Sequence, residues 1–181
     1  MNPQKKSLMK KISNILFVLV VLFFVSCLNK ESNSTIQQAP NGYRYVDISK
    51  SGMNLFVAAP DSTVGVVDTV FDSSSKVYIS VGQGFKLIIE ESALSIAQKK
   101  EEIVNTTSDV DLLKQYIVDT DSSLLWQTTI GDLSKFHVYY LFKSDNRQFS
   151  FSSPNDEIFS QEQATKMLQA SRLAIEKENE K

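Results

Sequence analysis

The feature that most constrains this chain is a short apolar run caught between a group of lysines and its single cysteine. Lys5, Lys6, Lys10 and Lys11 are the only charged residues ahead of Cys27. From Ile12 to Val25 the chain is apolar except for Ser13 and Asn14, and its unbroken core, Ile15 to Val25, is about 11 residues long. A helix needs roughly 20 apolar residues to cross a bilayer. A basic flank, a short apolar core and a small residue at its end form the layout of an export signal that is cut away, so residues 1–26 are excluded from the folded domain.

The run closes with Phe24-Val25-Ser26-Cys27. These residues resemble the lipobox of bacterial lipoprotein signals, in which a small residue precedes a cysteine whose thiol takes a diacylglycerol before the peptidase cuts on its N-terminal side. Ser26 and Cys27 stand at those two positions, Val25 is acceptable, and Phe24 replaces the usual Leu, as in the looser lipoboxes of Bacteroidetes-type lipoproteins. The resemblance covers the first 27 residues. It implies lipidation at Cys27, a partner in membrane lipid, and a location at the outer membrane on its periplasmic face. Asn29-Lys30-Glu31 resembles in part the surface-export signals of the same group, which makes the cell surface the alternative. Each buried methylene contributes about 0.8 kcal/mol, so two or three acyl chains would hold the protein durably.

Residues 27–42 read as the lipidated cysteine and a tether. Leu28 to Pro40 is polar, poor in aromatics and aperiodic, and about 13 such residues span roughly 20 Å. Removal of the four N-terminal lysines leaves 15 of the 19 basic residues against 21 acidic ones, about −6. Without a basic cluster this balance argues against nucleic acid, because phosphate neutralisation needs concentrated Lys and Arg. One cysteine excludes a disulfide framework and a multi-cysteine zinc site.

Residues 43–181 read as one α+β domain. Short strands come first, with Met53 to Ala59 closed by Pro60-Asp61, and Val64 to Phe71 closed by Asp72 to Ser75. Val77, Ile79 and Val81 alternate with Tyr78 and Ser80, the period of a strand with one buried face. Gly82-Gln83-Gly84 turns this strand into Phe85 to Ile89. Ser92 caps a helix over about Ala93 to Asn105, with Leu94, Ala97, Ile103 and Val104 as its apolar stripe and Gln98 to Glu102 in water. Ser108, with Asp109 and Asp111 near the helix start, opens a second helix carrying Leu112, Leu113, Tyr116 and Ile117. Leu124 to Ile130 and Phe136 to Phe142 form a hairpin closed by Gly131-Asp132, and Arg147 to Phe151 follows a turn at Asp145-Asn146. Phe136, Val138, Tyr140 and Phe142 mark the core face, with His137, Tyr139 and Leu141 opposite. Ser160 and Gln163 form a capping box before Ala164, Met167, Leu168, Ser171 and Ile175, spaced for one helical face, and the charged tail from Glu176 frays.

This order predicts an antiparallel sheet of five or six strands covered by helices. Its late portion resembles the Mog1/PsbP-like α/β/α sandwich, whose members do unrelated jobs.

The chemistry legible in the residues is sparse. With His137 the only histidine, no two-histidine zinc site exists, and a Ser/His/Asp triad would have to recruit this one residue, read as structural. Gly82-Gln83-Gly84 lacks the third glycine and following helix of a dinucleotide loop. Asp119-Thr120-Asp121-Ser122 offers hard oxygens but not the glycine and distal Glu of an EF-hand, so a plain turn is preferred to calcium. Glu90 and Glu91 alternate across a strand and do not converge as an acid/base pair. Tyr43, Tyr45, Tyr78, Trp126, Tyr139 and Tyr140 suit a sugar or peptide groove by type, though sheet packing is the preferred reading.

The preferred function is a non-catalytic binding or assembly module of the cell envelope with a protein partner, no cofactor, no metal and no catalytic residues. The alternatives are a ligand-capture lipoprotein for an uptake system and an enzyme with an unrecognised site. An assembly module should expose a contiguous apolar patch, a ligand binder an aromatic-lined cleft, and an enzyme a concave pocket that gathers carboxylates with His137.

Overall fold

Strand β4 (Val77–Val81) turns sequence alternation into structure: Val77, Ile79 and Val81 are fully buried, and Tyr78 and Ser80 half-buried. It pairs antiparallel on one side with β3 (Val67–Phe71) and on the other with β5 (Phe85–Glu91). The β4–β5 turn is Gly82-Gln83-Gly84, and Gly82 has φ +56°, a conformation that favours glycine. The computed structural model describes residues 38–106, 111–144 and 146–177. Cys27, Ser108, Asp109 and Asp145 lie outside the described residues.

After β5 the chain crosses through helix α1 (Ile96–Thr106) to the far edge of the sheet and returns as a meander: β6 (Asp111–Asp119), β7 (Ser123–Ile130), β8 (Leu133–Lys143) and β9 (Gln148–Ser152). Strand β9 then pairs antiparallel with β5, closing a seven-stranded sheet in the order β3-β4-β5-β9-β8-β7-β6. Helix α2 (Gln161–Arg172) follows. Strands β1 (Tyr43–Asp47), β2 (Leu55–Pro60) and β10 (Ile175–Glu176) form a second antiparallel sheet with β2 in the middle. The class is α+β, but the single sheet of five or six strands is corrected to two sheets.

Helix α2 and the small sheet cover the same face of the large sheet. Leu55 and Val57 of β2, Met53 just before it, and Met167 and Leu168 of α2 join Ile79, Leu87, Phe149 and Phe151 in one core. Helix α1 covers the opposite face over β6, β7 and β8, where Ile96 and Ile103 pack on Leu124, Trp126, Tyr139 and Leu141. Strand β8 is therefore buried on both sides: His137, Tyr139 and Leu141, expected away from the core, are more buried than Phe136, Tyr140 and Phe142.

Three local expectations are corrected. The second helix expected after Ser108 is strand β6. Register shifts between Leu113 and Gln115 and between Tyr116 and Val118 bring Leu113 and Tyr116 to the α1 face although they are three residues apart, a spacing that imitates a helix. Helix α1 begins at Ile96, where Gln98 N–H donates to Ser95 Oγ and Ser95 N–H to Gln98 Oε1. Its stripe is Ile96 and Ile103, with Ala97 and Val104 exposed, and Lys99 and Lys100 lie over the Tyr139 and Tyr116 rings at 5.2 and 5.1 Å rather than in open water. Helix α2 keeps its Ser160–Gln163 capping box but stops at Arg172, and Ile175 pairs with Phe56 in the small sheet. The tail is held as far as Lys177, whose N–H donates to the Asn54 carbonyl.

Candidate functional site

The residues singled out for chemistry do not converge. His137 on β8 stacks on Trp126 of β7, with ring centroids 5.2 Å apart and planes at 23°, and its Nε2 hydrogen-bonds Thr128 Oγ1 at 3.1 Å. At 4% exposure it is a packed side chain rather than a base facing a cleft. Glu90 and Glu91 sit on opposite faces of β5, where Glu90 pairs with Lys76 and Glu91 with Arg147, each at 2.8 Å. Asp119-Thr120-Asp121-Ser122 is the β6–β7 turn, organised by Thr120 Oγ1, which accepts from Ser123 N–H at 3.0 Å, while Asp119 pairs with Lys100. Among the described residues, no three His, Cys, Asp or Glu side chains gather in a way that could hold a metal ion.

The aromatic set is equally dispersed. Tyr43 and Tyr45 belong to β1, Tyr78 to β4, and Tyr139 and Tyr140 point to opposite faces of β8. Burial pushes the Tyr139 hydroxyl above its ordinary value, against the opposing effect of hydrogen bonds with Ser92 and Ser150, so it is a neutral phenol. Two hollows lie on helix surfaces. One of about 390 Å³ is lined by Lys100, Glu101, Val104, Asn105 and Tyr116, and one of about 430 Å³ by the outer face of α2. Neither includes His137, Glu90 or Glu91.

What does gather is apolar surface. Among the described residues, four of the seven exposed large hydrophobic residues lie in one stretch: Val64 at 62% exposure, Val66 at 86%, Val70 at 51% and Phe71 at 42%. They occupy β3 and the segment that leads into it, and β3 is the terminal strand of the large sheet among the described residues. The segment is seated by close backbone approach: a Cβ on Gly65 would stand 3.0 Å from the Gly82 backbone nitrogen. The exposed valines are thus carried on backbone packed against the β4–β5 turn.

Strand β3 is shorter than the Val-rich run Val64 to Phe71 suggests, Val67–Phe71, and the sequence does not mark its position at an edge. The available signal was Val70-Phe71: two adjacent apolar residues put hydrophobic side chains on both faces of one strand. An edge strand also offers unpaired backbone N–H and C=O groups, a template for another strand. An edge of this kind can offer main-chain pairing and apolar contact to another strand. Among the described residues, no helix is long and apolar enough to cross a membrane. No family model, curated protein sequence or solved structure matches this chain.

Proposed function

We propose that the chain is a membrane-anchored lipoprotein of the bacterial cell envelope, cut before Cys27 and held by acyl chains on that residue, whose domain from Tyr43 onward is a non-catalytic binding or assembly module. The observation that carries the module reading is the concentration of exposed apolar side chains at Val64, Val66, Val70 and Phe71 along one edge strand and the segment that leads into it, since exposed apolar surface beyond single scattered residues marks a protein contact. The anchor reading rests on the lysine cluster, the short apolar core and Ser26-Cys27. A helix on each face of the large sheet supports the resemblance to the Mog1/PsbP-like α/β/α sandwich. The outer membrane, periplasmic face foremost, is the proposed location.

Radiolabelled palmitate in growing cells should enter the wild-type chain and not Cys27→Ser, which should accumulate uncleaved with its domain folded. Failure of the label to enter, or a mature N-terminus away from Cys27, overturns the anchor. Photo-crosslinking from Val66 in membranes should trap a protein, and crosslinking from Leu133, equally apolar and at the far end of β8, should not. Equal trapping from both positions overturns the docking edge.

A further inference from the structure

The edge strand β3 is self-complementary, and we propose that it pairs antiparallel with β3 of a second copy of this chain, joining the two large sheets into one across a two-fold axis. The inference rests on the assembly reading and names its partner.

Full overlap of the five residues Val67–Phe71 with their own reversed image places Val67 opposite Phe71, Asp68 opposite Val70, and Thr69 opposite Thr69. In the observed register with β4, Val67, Thr69 and Phe71 face the side of Val81, Ile79 and Val77, and Asp68 and Val70 the side of Ser80 and Tyr78. One face of the joint then carries two Val–Phe pairs around a Thr–Thr pair, a combination that stabilises antiparallel strands. On the other face each carboxylate of Asp68 meets Val70, so no like charges stand directly opposite. A register centred on Asp68 would set two carboxylates against each other. Thr69 at the centre is compatible with either hydrogen-bonding phase of an antiparallel pair.

Orientation suits a shared membrane. Antiparallel strands of one sheet are related by an axis normal to that sheet, so the same face points the same way in both copies. Strand β1, which the tether feeds, belongs to the small sheet on the α2 face. Both tethers therefore start on one side of the joined sheet.

Size sets the conditions. The exposed parts of Val64, Val66, Val70 and Phe71 amount to a few hundred Å² per copy, below the roughly 800 Å² per partner of a stable interface. Such a pair is weak in dilute solution and forms where attachment to one surface raises the effective concentration toward the millimolar range.

The test uses the full chain in its membrane. Thr69→Cys puts one thiol beside its own image, with Cβ atoms about 4.5 to 5.5 Å apart, so a small backbone adjustment brings them within reach of a disulfide. Mild oxidation should give a homodimer of twice the chain mass in T69C and none in the wild type. Adding V70D, which places a carboxylate opposite Asp68 of the second copy, should cut the homodimer by roughly tenfold or more. Adding V70K, which places an ammonium there, should preserve it, and this separates charge matching from simple loss of fold. The pairing is overturned if T69C gives no homodimer, if V70D and V70K act alike, or if the adduct contains only another protein; that last result leaves the assembly reading standing. A chain recovered outside the membrane fraction overturns both.

Discussion

The two edges of the large sheet are built on opposite terms. Strand β6 is long, Asp111–Asp119, and its pairing with β7 is interrupted twice. Beside it α1 packs Ile96 and Ile103 on the sheet and sets Lys100 over the Tyr116 ring. Bulges are one way in which soluble proteins keep an edge from pairing with a neighbour. Strand β3 has none and is protected only by its shortness and Asp68. Its five residues keep unbroken register with β4, no helix covers it among the described residues, and apolar side chains project from it on both faces. Among the described residues the two edges therefore differ, and that difference supports the proposed docking at β3.

The largest break in this comparison is at the seam. Phe151 on β9 is fully buried and opposes Ile89 of β5 and Tyr140 of β8, so it joins the half that carries β3 to the half that carries β6. Phe151→Ala should cost about 3 to 5 kcal/mol of unfolding free energy, measured by denaturant titration. A loss under about 1 kcal/mol would mean that the halves do not depend on this joint.

A cut beneath α1 acts on one edge alone. Ile103→Ala should cost about 2 to 3 kcal/mol and accelerate hydrogen exchange in β6 and β7 while leaving β3 and β4 unchanged. Uniform acceleration across the sheet would contradict separate support of the two edges.

At the other edge Gly65→Ala presses a methyl against the Gly82 backbone. The expected cost is about 1 kcal/mol, with altered exchange confined to residues 64–71 and the β4–β5 turn. No change would show that residues 64–66 yield freely and do not hold the valines in place.

The smallest effect belongs to neither edge and serves as a control. Burial alone would raise the Asp47 carboxyl, but hydrogen bonds from Lys177 and Ser49 outweigh it and hold the group at about 2, against an ordinary 3.8. A depressed carboxyl stabilises the fold above its unfolded value, and that contribution fades as pH falls from about 4 toward 2. Asp47→Asn should remove a slight acid sensitivity, read as a flatter stability profile in that window. The pair is more than a third exposed, so screening keeps the effect small. A steep loss above pH 5 would not come from Asp47.

How far the sequence disclosed this fold depends on the reach of each signal. The β4–β5 hairpin and the Ser160–Gln163 box are legible because period, glycine and cap are set within a few residues of one another. Strand β6 has a helix-like spacing in the sequence because two register shifts disturb the two-residue alternation that announces a strand. The small sheet is not legible in the sequence because β10 is two residues long and its partner β2 lies more than a hundred residues earlier. The candidate site suffered most. Val64, Val66, Val70 and Phe71 are plain in the chain, yet their exposure follows from β3 standing last in the strand order, and that order depends on the long-range β5–β9 pairing.

The most direct test of the bare edge is hydrogen exchange on the full-length chain, compared in its membrane and diluted in detergent micelles. Amides of β3 should exchange slowly in the membrane and quickly once the copies are dispersed, while β6 exchanges alike in both. Amides of β3 that exchange equally fast in the two settings would show that nothing docks there.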